Sequence, residues 1–180
     1  MRTPRRPRVS EAEFLALPES MEKTELIDGE VIVSPAPTSE HQDVLFKLAF
    51  AAESWARSTS SEIKVLAAPV DIRFAENRIL QPDLSIWLAG FQHPESGPVL
   101  RVPTVCAEVL STNRVHDRVT KRLIYAASGV RELWIVERRG PIERWSGEAL
   151  DVVDELADRL TSTVLPGLDV DLSSVFASVG

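Results

Sequence analysis

The sequence predicts an α/β (α+β) fold, a mixed β-sheet flanked by helices, on three observations. An N-terminal stretch has the pattern of a β-hairpin. A long amphipathic helix follows it. A nearly continuous apolar run, Thr104–Leu110, is then succeeded by a helical segment and a second apolar strand, Glu132–Glu137. Strands and helices interleaved in this way pack as a sheet under a helical cover. With 44% apolar and 26% charged residues, the 180-residue chain has ordinary globular composition, which excludes disorder of the chain as a whole. Its length suits one domain, expected over residues 10–180, behind a flexible basic arm at residues 1–9.

Taken in order, Ser10 followed by Glu13 predicts a capping box and a short helix through about Leu17, stopped by Pro18. In T-E-L-I-D-G-E-V-I-V-S-P, Asp28-Gly29 between two β-prone stretches predicts a hairpin, because both residues tolerate positive φ. Pro35 and Pro37 end its second strand. Ser39 to about Arg57 reads as a helix with Val44, Leu45, Leu48, Ala51, Ala52 and Trp55 on one face. Strands are expected at Ile63–Leu66, Val70–Phe74 and Leu84–Leu88, and an irregular loop at 89–102. Thr104–Leu110 predicts a strand covered on both faces. Val115–Ser128 predicts a helix closed by Gly129, and Ile142–Trp145 with Leu150–Val153 a further hairpin around Ser146-Gly147. A loop and a short helix complete the chain, and Trp87, Trp134 and Trp145 are expected in the core.

Charge and motifs narrow the function. The net charge of −7, from 20 Lys and Arg against 27 Asp and Glu, argues against a protein that coats DNA electrostatically. It leaves a nuclease open, since a bound divalent cation reverses the charge of an acidic cleft. The single cysteine, Cys106, excludes an intrachain disulfide and reads as a small buried hydrophobe. The basic start M-R-T-P-R-R-P-R has no apolar segment behind it, and no run approaches the ~18 apolar residues of a membrane span, so the cytoplasm is the expected location. A phosphate-binding Gly-rich loop, a nucleophile elbow and a zinc motif are all absent.

Glu108 is a charge inside an apolar strand, where an unpaired carboxylate costs several kcal/mol of desolvation. Either a salt bridge to a Lys or Arg or a metal ion would answer for it, and the residues alone leave both open. Asp83 follows Pro82 at the start of a strand and reads as a turn residue or as a second metal ligand. Two carboxylates on neighbouring strands suffice for Mg²⁺, which keeps several waters. Asp117, Lys121 and Tyr125 fall at i, i+4, i+8. That stripe is either a solvated ion pair or an ammonium aimed at the reacting phosphate. Arg114, Arg118 and Arg122 form a parallel stripe, either solvated or phosphate-binding. His41, in the first turn of the long helix, has no ligand-spaced partner in His93 or His116.

T-E-L-I-D-G-E-V-I-V-S-P, His41, Q-P-D-L, A-E-V-L-S, D-R-V-T-K-R-L-I-Y-A-A-S-G-V-R-E-L-W-I-V-E and L-P-G-L-D-V-D-L occur in that order, from about Leu17 to Phe176. The ordered set resembles the Uma-two family of restriction endonucleases, a branch of the PD-(D/E)XK superfamily. The resemblance implies a restriction-endonuclease-like core with an N-terminal β-hairpin, a Mg²⁺ (or Mn²⁺) cofactor and DNA as substrate. It assigns Asp83 and Glu108 to the metal and Lys121 to catalysis, the lysine having moved from the strand, where position 110 is Leu, to the next helix. Glu25 matches an acidic residue that joins the cleft, and His41 and Tyr125, with Asp117, are candidate accessory residues. Thr24 departs from an aromatic family preference, and Thr112-Asn113 stand where the family continues Pro-Ser. A homodimer is the assembly expected of an enzyme that cuts two strands. The alternative is a catalytically inactive nuclease fold acting as a nucleic-acid or protein interaction module, which the net negative charge favours.

Overall fold

The computed structural model describes residues 8–18, 22–110 and 116–177, with backbone alone for residues 116 and 117. Helix α1 (Glu11–Leu15) is opened by the expected capping box: the Ser10 hydroxyl accepts from the Glu13 N–H, and the Glu13 carboxylate accepts from the Ser10 N–H at 2.8 Å. Strands β1 (Lys23–Ile27) and β2 (Glu30–Ser34) form the expected hairpin. Asp28 and Gly29, at φ 51° and 85°, make a two-residue turn that only residues tolerant of the left-handed region can make. Helix α2 (Ser39–Thr59) starts at Thr38, whose side chain accepts from the His41 N–H, and buries Val44, Leu45, Leu48, Ala52 and Ala56.

The remaining elements are β3 (Lys64–Ala67), β4 (Ile72–Ala75), β5 (Arg78–Leu80), β6 (Leu84–Trp87), β7 (Val105–Val109), a π-helical turn (His116–Lys121), α3 (Arg122–Ala127), β8 (Glu132–Val136), β9 (Ile142–Ser146), β10 (Val152–Leu156), β11 (Arg159–Thr161), β12 (Asp169–Asp171) and α4 (Leu172–Phe176). Six strands form the main sheet in the order β10-β9-β8-β7-β6-β3, parallel at β7–β8 and antiparallel elsewhere. A second, antiparallel sheet has the order β2-β1-β5-β4, and β11 pairs with β12. The fold is thus mixed α+β.

Both faces of the main sheet are covered, so β7 and β8 are buried along their whole length. Val105, Ala107 and Val109 of β7 pack with Val44, Leu48 and Ala52 of α2. Cys106 packs on the other face with Ile124 and Tyr125 of α3 and with Ile72 and Phe74 of the second sheet. Side chains alternate along a strand, so Glu108 shares the Cys106 face and points toward α3 and the second sheet. No helix among the described residues is long and apolar enough to cross a membrane.

Most elements lie within two residues of expectation. The three-residue strands β5, β11 and β12 do not stand out in the sequence. The helix expected over Val115–Ser128 also differs, because its first described turn is π-helical before α3 begins. Such a turn is typically found at functional sites.

Candidate active site

The site forms where β7, β6, β1 and the π-helical turn meet. Strands β6 and β7 pair antiparallel with Leu84 opposite Ala107, and one further step along that register sets Asp83 opposite Glu108. A backbone bond fixes this arrangement, for the Val109 N–H donates to Asp83 Oδ2 at 2.8 Å. His41 Nε2 lies 3.1 Å from the same oxygen. The first turn of α2 therefore holds Asp83 from one side while β7 holds it from the other.

Lys121 is the last residue of the π-helical turn, and its Nζ lies 3.0 Å from Glu25 Oε1 and 3.2 Å from both oxygens of Glu108. The Tyr125 hydroxyl, one α-turn on, donates to Glu108 Oε1. Glu25 Oε1 also accepts from the Gln81 N–H at 2.8 Å, which joins the second sheet to the cluster. Glu25, Asp83, Glu108 and Lys121 are all at most 5% exposed, so each charge depends on the others for its stability.

This burial sets aside the solvated ion pair that the helix stripe allowed. Lys121 and Tyr125 face inward, while Val119 and Leu123 are about half exposed. The polar stripe is the buried one here, and the apolar pair faces out. The Arg118 guanidinium is engaged by Glu137 and Glu143, each at 2.6 Å. Arg122 donates to the Leu150 carbonyl and lies over the Trp145 ring. Both guanidinium groups thus tie the π-helical turn and α3 to the β8–β10 region. Arg114 and the Asp117 side chain lie outside the described residues.

Lys23, at the start of β1, is the member of the site that sequence reasoning missed. Its Nζ lies 3.0 Å from Asp83 Oδ1 and 3.7 Å from Glu108 Oε2. A signal for it existed: residues i and i+2 of a strand share a face, so a Glu25 assigned to the cleft brings Lys23 with it.

The electrostatics follow from these contacts. Burial alone would push the Asp83 carboxyl up. The Lys23 charge, the His41 hydrogen bond and the Lys121 charge outweigh it and hold the group well below the usual carboxylate range. Burial disfavours the Lys23 ammonium, yet Glu108, Asp83 and Glu25 together raise its pKa above the ordinary lysine value despite opposition from Lys121. Burial, reinforced by Glu108, pushes the Tyr125 phenol well up, so it remains a donor. The same two influences push the Cys106 thiol well up, which leaves it an inert core residue.

Two observations bear on whether a cation fits. Asp83 and Glu108 already share one, the Lys23 ammonium. Glu25 Oε2 is buried with no hydrogen-bond partner among the described residues. Among those residues no three His, Cys, Asp or Glu side chains form a ready-made metal cluster. Two carboxylates and water are nevertheless an ordinary Mg²⁺ environment, and the donor set is all oxygen, so the residues fit Mg²⁺ or Mn²⁺.

The mixed α+β fold that brings Asp83, Glu108 and Lys121 together recurs in a solved structure. A crystal structure described as "a putative nuclease belonging to DUF820 from Anabaena variabilis ATCC 29413" shares it, with a TM-score of 0.77 and 18% identity over 94% of this chain and 98% of that one. No curated protein matches the chain. The family Uma2, described as "Putative restriction endonuclease", matches residues 11–173, and the chain belongs to that family.

Proposed function

We propose that the chain is a divalent-metal-dependent endonuclease that hydrolyses DNA phosphodiester bonds. The observation that carries this reading is the convergence of Glu25, Asp83, Glu108 and Lys121, from separate elements, into one buried cluster. Asp83 and Glu108 would hold Mg²⁺ or Mn²⁺, with Glu25 as a further acidic group. When bound, the cation supplies positive charge to the phosphoryl oxygens and acidifies water.

The chain's own residues supply position and charge. His41 and the Val109 N–H orient Asp83, and Tyr125 orients Glu108. Lys121, fixed between Glu25 and Glu108, orients the attacking water and stabilises the negative charge that develops on the phosphate. Water attacks phosphorus and gives up a proton to bulk water, one P–O ester bond breaks, and the leaving oxygen takes up a proton from bulk water. A homodimer would present two such sites by symmetry, one for each strand.

Incubation of the pure protein with plasmid and linear DNA in Mg²⁺ or Mn²⁺, beside an Asp83→Ala control, tests the reading. Cleavage by the parent chain alone is expected. Cleavage that survives the substitution, or that appears with neither metal, refutes it.

A further inference from the structure

The hydrolytic reading leaves Lys23 without a task, and its position is specific. Asp83 Oδ2 is occupied by His41 and by the Val109 N–H, whereas among the described residues Oδ1 accepts from Lys23 alone. Glu108 Oε1 is held by Tyr125 and Lys121, and Lys23 approaches the other oxygen, Oε2, which Lys121 also contacts. The ammonium is therefore 3.0 Å from Asp83 Oδ1 and 3.7 Å from Glu108 Oε2, within reach of both carboxylates that the proposed function gives to the metal. It also lies on the solvent side of the cluster. Its side chain is 21% exposed, against 7% for Asp83 and 2% for Glu108.

We propose that Lys23 is a resident counter-cation that occupies the metal position and must be displaced when metal enters. This rests on the assignment of Asp83 and Glu108 as metal ligands. Two cations on one carboxylate oxygen repel each other strongly in a partly buried site. Metal and ammonium therefore exclude one another. Lys23 stabilises the metal-free fold by adding positive charge beside two buried carboxylates, and it weakens metal binding by the same interaction. The stem of a lysine is long and flexible, which allows the ammonium to leave without disturbing β1.

Calorimetric titration of Mn²⁺ into the full chain, as parent, Lys23→Met and Lys23→Arg, tests this. A single adjacent charge alters a carboxylate's affinity for a proton by about ten- to a thousandfold. The Met variant is accordingly expected to bind Mn²⁺ about tenfold more tightly or better, and to gain more thermal stability from Mn²⁺ than the parent does. The Arg variant, with its charge kept, should remain near the parent. Adding Asp83→Asn to Lys23→Met should abolish the tight site.

A second measurement needs no variant. Reductive methylation of Lys23 in the parent chain, followed by mass spectrometry, should accelerate when Mg²⁺ is present. Parent binding that Lys23→Met leaves unchanged or weaker, or a methylation rate indifferent to Mg²⁺, overturns the counter-cation role and leaves the metal site standing. No Mn²⁺ binding by parent or variant at millimolar concentration overturns both readings.

Discussion

Replacing Lys121 by Met removes the ammonium while keeping a stem of similar length. Glu25 and Glu108, 0% and 1% exposed, then face each other across the gap without it. Removing one partner of a buried ion pair costs about 3–5 kcal/mol, because the remaining charge is left uncompensated. The lower end applies here. Glu108 retains the Tyr125 hydroxyl and the more distant Lys23, and Glu25 retains the Gln81 N–H. For a chain of this length, about 3 kcal/mol corresponds to a fall of about 6–12 °C in the unfolding midpoint. Thermal unfolding followed by circular dichroism reads this directly. Adding Glu25→Gln removes one of the stranded charges and should recover at least about 1 kcal/mol, a coupling expected only between interacting neighbours. Below the midpoint of the variant, DNA cleavage should drop at least about a hundredfold. A Lys121→Met protein as stable as the parent, or a double variant no more stable than the single one, would show that the lysine is not the counter-charge of these carboxylates.

Two further outcomes are expected. Tyr125→Phe removes a hydrogen bond to a charged acceptor and should destabilise by about 1.5–3 kcal/mol in urea unfolding, with little change in circular dichroism. Asp83, with its carboxyl held below the ordinary value, contributes stability that is complete above the unfolded-chain pKa of about 3.9 and is lost as pH falls through the lower folded value. In equilibrium unfolding between pH 6 and pH 2, the parent should therefore lose more stability below about pH 4 than Asp83→Asn does. Parallel profiles would contradict the assignment.

Local chemistry made much of the fold legible. The capping box at Ser10, the Asp28-Gly29 turn and the spacing of Val44, Leu45, Leu48 and Ala52 each obey a rule confined to a few neighbouring residues. Strands of three residues, such as β5, are too short to show alternation and exist because β1 and β4 flank them. At the site, Asp83 and Glu108 were conspicuous as charges bordering apolar strands. The orientation of Lys121 was not, because Val119 and Leu123 mark the wrong side of the helix as apolar. Only the tertiary approach of Glu25 and Glu108 decides which side turns inward. Lys23 was hidden for a related reason: one lysine ahead of a hairpin looks like any solvated charge until its strand partner Glu25 is known to be buried.

The buried cluster joins residues far apart in the chain. Its contacts pair β1 with the segment before β6, β6 with β7, and β7 with the π-helical turn. No fragment ending before residue 121 can hold it, and no chain whose two sheets have failed to meet can either. A nascent or misfolded copy would carry every one of these side chains and still have no constellation. The nuclease activity proposed above would therefore require the complete fold.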